Sequence, residues 1–182
     1  MNELRLRPMT TADAPAYYEH MLRHFRESGK DGDPIFHPVT GWDSWVREEQ
    51  LEKLKRDLEL PLPAIGWQRI WIAEDTNGLV RADCLVRSGF MDATAHRCQF
   101  AIGVERSARG RGVGQELSHL ALAWAREQRE LEWVDLWVFA HNAPAIALYE
   151  KLGFQKLDTV MDQFRVHGKR IDDMHMTLRL RD

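Results

Sequence analysis

The stretch Arg109-Gly110-Arg111-Gly112-Val113-Gly114 decides how this chain of 182 residues is interpreted. It follows a strand-like segment over 98–104 and precedes a long amphipathic segment, so it places small residues at the start of a helix. The first turn of a helix leaves N–H groups without acceptors, and the helix dipole adds partial positive charge there. The stretch therefore predicts a site for a phosphate or diphosphate, which glycine allows close to the backbone.

Two common phosphate-binding loops do not fit this stretch. A Walker A loop requires Lys and then Ser or Thr after the glycines, and neither follows here. The dinucleotide fingerprint requires G-x-G-x-x-G, whereas this chain has G-x-G-x-G. A glycine-rich turn that binds no ligand stays open as the structural alternative.

Composition places the chain among ordinary globular proteins. Its length fits one domain over 1–182, and 44% of its residues are hydrophobic. The formal net charge of -3 argues against a general nucleic-acid or membrane-surface binder. No apolar run is long enough to cross a bilayer and the amino terminus lacks a signal-like core, so we expect a cytoplasmic protein. No residue spacing is typical of a metal site.

The periodicity of apolar residues predicts an α/β fold in the order β-α-α-β-β-β-α-β-α-β-β. Hairpins in this order give antiparallel strand pairs and helical crossovers give parallel ones, so the sheet is mixed. Trp124 has the spacing of the core-facing stripe of the third helix. Helices are predicted over 10–27, 42–60, 113–124 and 143–152, and strands over 3–8, 67–74, 79–88, 93–104, 133–140, 154–166 and 171–180.

The third and fourth strands predict a hairpin that turns about Met91. Residues at equal distances from the turn lie opposite each other and share a face, which would pair Cys84 with Cys98 and Asp83 with Gln99. We expect the two cysteines to be thiols, because disulfides are rare in the cytoplasm.

A second stretch, His141-Asn142-Ala-Pro-Ala-Ile-Ala-Leu-Tyr149-Glu-Lys-Leu-Gly-Phe154, follows the strand predicted over 133–140. An R-G-x-G-x-G loop that opens a helix, then a strand, then N-x-x-A-x-x-L-Y-x-K-x-G-F resembles the GNAT superfamily of acetyl-CoA-dependent N-acetyltransferases. The resemblance extends over residues 97–180 and is weak over residues 1–60.

The resemblance implies a mostly antiparallel sheet flanked by helices, an acyltransferase activity, and acetyl-CoA as cosubstrate without a metal. It implies that the pantetheine arm pairs with one strand, that the diphosphate lies on the glycine loop, and that the Asn142 side chain contacts the cofactor while capping a helix. Gly103 is expected to mark a bulge or a close backbone approach where this strand splays from the next. The implied binding residues are Ile102, Gly103, Val104, Arg109, Gly110, Arg111, Gly112, Val113, Gly114, Gln115, Asn142 and Tyr149.

Tyr149 matches the tyrosine that many GNAT enzymes place near the thioester sulfur, where it would protonate the thiolate or donate a hydrogen bond; a core aromatic stays open. By resemblance, Gln99 stands where the histone-acetylating branch of the superfamily carries a glutamate base. The side-chain amide of glutamine does not serve as a base at neutral pH. Asp83 acting through water, His96, and proton loss to ordered water remain as candidates. Asp83 paired with Arg81 or Arg97 is the structural alternative.

By resemblance, the acceptor amine lies between the loop over 28–41 and the last hairpin over 162–173. Asp172 shares strand parity with Met174 and Met176 and is therefore expected to point inward. We expect a primary amine of a small molecule, with an amino acid as one candidate. A protein N-terminus or lysine, a CoA-binding sensor without turnover, and a homodimer stay open.

Overall fold

The computed structural model describes residues 3–38 and 45–181, which contain seven strands and four α-helices. The predicted start of the second helix at Trp42, and the end of the loop predicted over 28–41, lie outside the described residues. In chain order the elements are β1 (Arg5–Pro8), α1 (Ala14–Glu27), α2 (Arg47–Glu59), β2 (Gln68–Glu74), β3 (Val80–Ser88), β4 (Arg97–Val104), α3 (Val113–Glu127), β5 (Trp133–Phe139), α4 (Ala143–Lys151), β6 (Gln155–Val166) and β7 (Lys169–Arg179).

The strands form one sheet in the order β1-β2-β3-β4-β5-β7-β6. Neighbouring strands are antiparallel except β4 and β5, which are parallel because α3 crosses over between them. The turns at Asn77-Gly78 and His167-Gly168 use positive φ angles, as short hairpin turns require. The predicted mixed, mostly antiparallel α/β fold is therefore confirmed.

Alternate residues of the central strands point into two apolar clusters on opposite faces of the sheet. Ile72 packs with Tyr17 of α1 and Leu51 of α2. Trp71 belongs to the cluster that includes α3 and α4. Its ring centroid lies 5.7 Å from that of Trp124, which occupies the predicted core position. The period-two alternation of β2 thus attaches a pair of helices to each face.

The register of β3 and β4 differs from the expected one. Asp83 lies opposite Gly103 and Cys84 opposite Ile102, so neither faces its predicted partner. The physical reason is the connection: residues 89–96 form a wide loop with a short 3-10 turn at Asp92–Thr94 in place of a tight turn about Met91. The centre of the hairpin therefore lies later in the chain than Met91, and every residue of β3 pairs with a later residue of β4 than expected.

The two parallel strands β4 and β5 separate part of the way along their length. They pair only over Arg97–Gln99 and Trp133–Asp135. Beyond Gln99, β4 keeps its antiparallel partner β3, while β5 stays paired with β7 as far as Phe139. The sheet therefore contains a split, which is the predicted splay and which positions the candidate site.

Candidate active site

A cavity of about 1080 Å³ occupies the split between β4 and β5. On one face of the sheet it is lined by the glycine loop and by Asn142 and Tyr149 near α4. On the other face it is lined by α1, β3 and β7, from which Asp83 and Asp173 contribute carboxylates. The split therefore joins a predicted diphosphate site to a separate, acidic compartment.

The glycine loop has the geometry of an anion site. Gly112 has φ +79° and precedes α3, whose first backbone bond runs from the Glu116 N–H to the Gly112 carbonyl at 3.1 Å. The preceding amides, those of residues 113–115, therefore have no intrahelical acceptor. A Cβ on Gly114 would lie 3.4 Å from Ile102 and Val104 side-chain atoms, so glycine lets the helix start lie close to β4.

Two arginines at this loop, Arg106 and Arg109, are already paired with carboxylates. Arg109 forms ion pairs with Glu27 and Asp33, at 2.9 and 2.7 Å, and its Nε donates to the Val104 carbonyl at 2.9 Å. Arg106 pairs with the same Asp33 at 2.9 Å. Arg111 is exposed and is not part of the cavity lining. Arg106 and Arg109 are thus engaged with carboxylates, whereas the amides of residues 113–115 have no intrahelical acceptor and are available to an anion.

The backbone of Gly103 faces β3 and not the split, contrary to the expected pantetheine pairing. The Glu105 N–H donates to the Arg81 carbonyl of β3 at 2.9 Å, and alternate residues of a strand use the same edge. The backbone groups of Ile102 and Val104 therefore face the split. Gly103 shows no bulge, because the β3–β4 pairing passes it without a register shift.

Gly103 instead permits a close approach of side chains over β4. A Cβ at this position would lie 2.6 Å from Asp83 Oδ1 and 3.1 Å from His24 Cδ2. Such a short contact is not tolerated, so any larger residue would displace the carboxylate. The glycine thus positions Asp83 over β4, the strand that borders the split.

Asn142 and Tyr149 occupy the positions that the second motif predicts. Asn142 is the N-cap of α4 and its side-chain oxygen accepts the Ala145 N–H at 3.4 Å. Tyr149 is 6% exposed, and its ring packs edge-on against Phe100 with centroids 6.2 Å apart. Burial raises the pKa of the Tyr149 phenol, so the hydroxyl keeps its proton at neutral pH. It can donate a hydrogen bond into the cavity.

Asp83 belongs to a buried network that the sequence did not indicate. His20 of α1 is fully buried and contacts Asp83 Oδ1 through Nε2 at 2.9 Å and Glu105 Oε1 through Nδ1 at 2.8 Å. Burial alone would lower the pKa of His20, but the hydrogen bonds with both carboxylates outweigh it and raise that pKa to about 8. Both ring N–H groups therefore donate at neutral pH. The Tyr17 hydroxyl donates to the second Asp83 oxygen at 3.4 Å.

The other candidate bases lie elsewhere. Gln99 is not part of the cavity lining, and its side-chain oxygen accepts from Arg87 Nε at 3.1 Å. His96 is exposed in the loop before β4. The alternative pairing of Asp83 with an arginine is wrong, because Arg81 binds Asp75 and Glu105 and Arg97 binds Asp135. Among the sequence candidates, Asp83 alone lines the cavity.

The last strand places a different aspartate in the cavity from the expected one. Asp172 Oδ1 accepts the Asp162 backbone N–H at 2.7 Å, whereas the neighbouring Asp173 is 5% exposed and lines the cavity. Burial raises the pKa of Asp173 to about 6. The parity with Met174 and Met176 identified the face of β7 that packs with α3 and α4, but β7 lines the cavity through Asp173, on its other face.

His24 lies beside Asp83 and is neutral. Its ring stacks on Phe36 with centroids 4.6 Å apart, and its Nδ1 is buried without a hydrogen-bond partner among the described residues. Burial lowers the pKa of His24 to about 4, so it adds no charge to the cavity near neutral pH.

Comparison with known families identifies the class. The model described as "Acetyltransferase (GNAT) family" matches residues 42–154, which is more than half of the chain. The chain therefore belongs to the GNAT acetyltransferase family, as the two motifs predict.

A mycothiol acetyltransferase of Salinispora tropica is 44% identical over 57 residues, which are 31% of this chain and 19% of that protein. The chain thus matches about a fifth of the length of this relative. A GNAT-family acetyltransferase from Streptococcus pneumoniae superposes with a TM-score of 0.82 at 22% identity, covering 97% of this chain and 99% of that one. A phosphinothricin acetyltransferase (Pat) from Sinorhizobium meliloti in complex with acetyl-CoA superposes with a TM-score of 0.74 at 18% identity. That superposition covers 97% of this chain and 88% of the other. The two structural similarities support the fold.

Residues 3–38 and 45–181 contain neither a metal-like cluster of side chains nor a helix of membrane-spanning length. No cluster of three or more His, Cys, Asp or Glu side chains there has the arrangement of a metal site. No helix in the same ranges is long and apolar enough to span a bilayer.

Proposed function

We propose that this protein transfers the acetyl group of acetyl-CoA to a primary amine of a small molecule. The observation that carries the proposal is the single cavity that links the glycine loop, the split strand edge and Asp83. Family membership supports the acetyl donor, since the loop and the second motif are those of GNAT acetyltransferases. The acceptor class follows from the carboxylates of the second compartment, because an amine is cationic before it reacts.

The residues present fit coenzyme A. The amides of residues 113–115 and the positive φ angles of Gly110 and Gly112 suit a diphosphate. The backbone groups of Ile102 and Val104 are available to an extended arm at the strand edge, although the Val104 carbonyl already accepts one bond from Arg109. Acetyl-CoA bound there would supply a thioester as the acetyl source.

Asp83 and Tyr149 are suited to the two proton transfers. The amine must lose a proton before its nitrogen forms the new C–N bond, and Asp83 would accept that proton directly or through a water. As the C–S bond breaks, the protonated Tyr149 phenol would donate a hydrogen bond or a proton to the sulfur. Asp83 and Tyr149 line the cavity from opposite faces of the sheet, which suits them to these separate roles.

A substitution of Tyr149 tests this proposal. Tyr149→Phe should lower turnover about 10- to 100-fold, the loss expected for one hydrogen bond to a developing charge, with little loss of affinity for acetyl-CoA. Calorimetry measures the affinity, and the appearance of free thiol with a panel of amines measures turnover. Tyr18→Phe is the control, because Tyr18 is equally buried but is not part of the cavity lining. Absence of acetyl-CoA binding by the wild-type protein would reject the proposal.

A further inference from the structure

Asp173 is a buried carboxylate for which the proposed reaction gives no role. It is 5% exposed and lines the cavity, yet no described residue donates a hydrogen bond to its side chain, and Oδ1 is buried without a partner. Most buried polar groups are hydrogen-bonded, because an unpaired carboxylate in a protein interior is costly. An unpaired carboxylate at a cavity wall is therefore suited to a ligand that brings the missing donor.

The strand register places Asp173 across the split from Asp83. Gln99 pairs with Asp135 on the parallel strand, and four residues further along both strands are Gly103 and Phe139. Gly103 lies opposite Asp83, and Phe139 lies opposite Asp173. The two aspartates therefore occupy the same level and the same face of the sheet, one on each side of the split. Four strands place their Cα atoms at least about 14 Å apart, which leaves room for an amine between them.

Other charged groups at this level of the cavity are already neutralised. Arg109 is paired with Glu27 and Asp33. His24 is neutral. An ammonium group would therefore meet an unpaired carboxylate, whereas a carboxylate on the acceptor would find no unpaired cation among these side chains.

Of the other cations of the lining, Lys151 donates to Gln115 beside the glycine loop, and Arg87 donates through Nε to the neutral Gln99 side chain. Arg87 lies four residues along β3 from Asp83, so its Cα is roughly 19 Å from that of Asp173 on the strand grid. The ammonium and carboxylate of an α-amino acid are separated by one carbon atom. The Arg87 side chain is held at Gln99, where β4 and β5 are still paired, and therefore lies away from the open part of the split that Asp173 borders.

The walls around the two carboxylates are aromatic. Phe139 contacts Phe164 with centroids 5.5 Å apart on the Asp173 side, and His24 stacks on Phe36 on the Asp83 side. These rings line the cavity together with Trp137, which is 48% exposed. Aromatic faces favour both apolar groups and cations.

We propose that Asp173 binds the ammonium group of the acceptor, and that the acceptor is an aromatic or aliphatic primary amine without a carboxylate on its amino-bearing carbon. This inference rests on the proposed acetyl transfer and narrows its acceptor. Asp173 holds the amine on the β7 side of the split while Asp83 approaches from the β3 side. The acceptor's apolar body lies against the aromatic walls.

Paired substrates that differ by one carboxylate test the acceptor class. The pairs are 2-phenylethylamine with phenylalanine, isoamylamine with leucine, and 3-(methylthio)propylamine with methionine. We expect kcat/KM to be at least about tenfold higher for the amine in each pair, the loss typical of burying an unpaired charge. Amino acids that react as well as the matched amines would overturn the proposal, as would failure of all three amines to react.

A charge-removing variant tests the residue. Asp173→Asn should lower kcat/KM for 2-phenylethylamine about 10- to 100-fold, as expected for a lost charge-assisted hydrogen bond, and leave the Kd of acetyl-CoA unchanged. Asp158→Asn is the matched control, since Asp158 is exposed on β6 and is not part of the cavity lining. Unchanged kcat/KM in Asp173→Asn with normal acetyl-CoA binding would overturn this inference alone. Failure of the wild-type protein to bind acetyl-CoA would overturn the proposed function as well.

Discussion

The two carboxylates that flank the split differ in how much of their hydrogen-bonding capacity the protein uses. One Asp83 oxygen accepts a hydrogen bond from His20 at 2.9 Å, and the other accepts one from Tyr17 at 3.4 Å. His20 also contacts Glu105 and so extends the network. The Asp173 carboxylate lies at the same level of the sheet, and no described residue donates a hydrogen bond to it. One carboxylate is built into the fold, and the other is left for a ligand.

This difference has opposite consequences for the stability of the folded state. The Asp83 network connects α1 to the middle of the sheet, so its hydrogen bonds stabilise the folded state. The unpaired Asp173 costs free energy in the folded state, because its ionisation must occur in a buried position. A protein retains such a cost where an active site uses it. The comparison therefore predicts effects of opposite sign for substitutions on the two sides.

Removal of His20 should have the largest effect on stability. His20→Ala leaves the Asp83 and Glu105 carboxylates buried without their shared cation, so we expect a loss of about 3–5 kcal/mol in the free energy of unfolding at pH 7. Urea denaturation measures the loss. His96→Ala provides the control, because that histidine is exposed and should change stability by less than about 0.5 kcal/mol. Equal effects of the two substitutions would show that the network contributes no stability.

Removal of the Asp173 charge should have the next largest effect and the opposite sign. Burial raises the pKa of this group from 3.8 to about 6, so its ionisation opposes folding fully above pH 6 and not at all below pH 3.8. Asp173→Asn should therefore stabilise the protein by roughly 3 kcal/mol at pH 8, and the gain should vanish near pH 4. Urea denaturation at both pH values checks this, with Asp158→Asn as the neutral comparison. A loss of stability at pH 8 would contradict the unpaired state of Asp173.

The local motifs of the site could be predicted from the sequence, because each belongs to one continuous segment. The glycine loop and the Asn142 cap follow from adjacent residues and from the helix that each begins, and the cavity position of Tyr149 was implied by the resemblance of its segment to the GNAT motif. The element order follows for the same reason, since apolar periodicity is a local property. These features required no knowledge of which distant segments meet.

The partners of the two aspartates could not be predicted in this way. The His20–Asp83 contact joins residues 63 positions apart, and no local pattern encodes it. The position of Asp83 depended on the β3–β4 register, which the loop over 89–96 sets and which a tight turn would have set differently. On β7, parity separated the two faces, but the strand contributes to the cavity through Asp173, on the face opposite the Met174 and Met176 side chains. Which face carries function is a tertiary property.

The smallest expected effect is the change in stability with pH that comes from the His20–Asp83 network. The pKa of His20 is raised from 6.5 to about 8, so its contribution is complete below pH 6.5 and is lost as the pH rises through 8. The unfolding free energy of the wild-type protein should fall by about 2 kcal/mol between pH 6 and pH 9 from this group. In His20→Asn the same fall should be absent, because the amide does not titrate. Asp173 adds only about 0.4 kcal/mol to the fall, since most of its cost has developed by pH 6, and it does so equally in both proteins. A parallel decline in both proteins would place the titrating group outside this network, and the asymmetry between the two carboxylates would then rest on Asp173 alone.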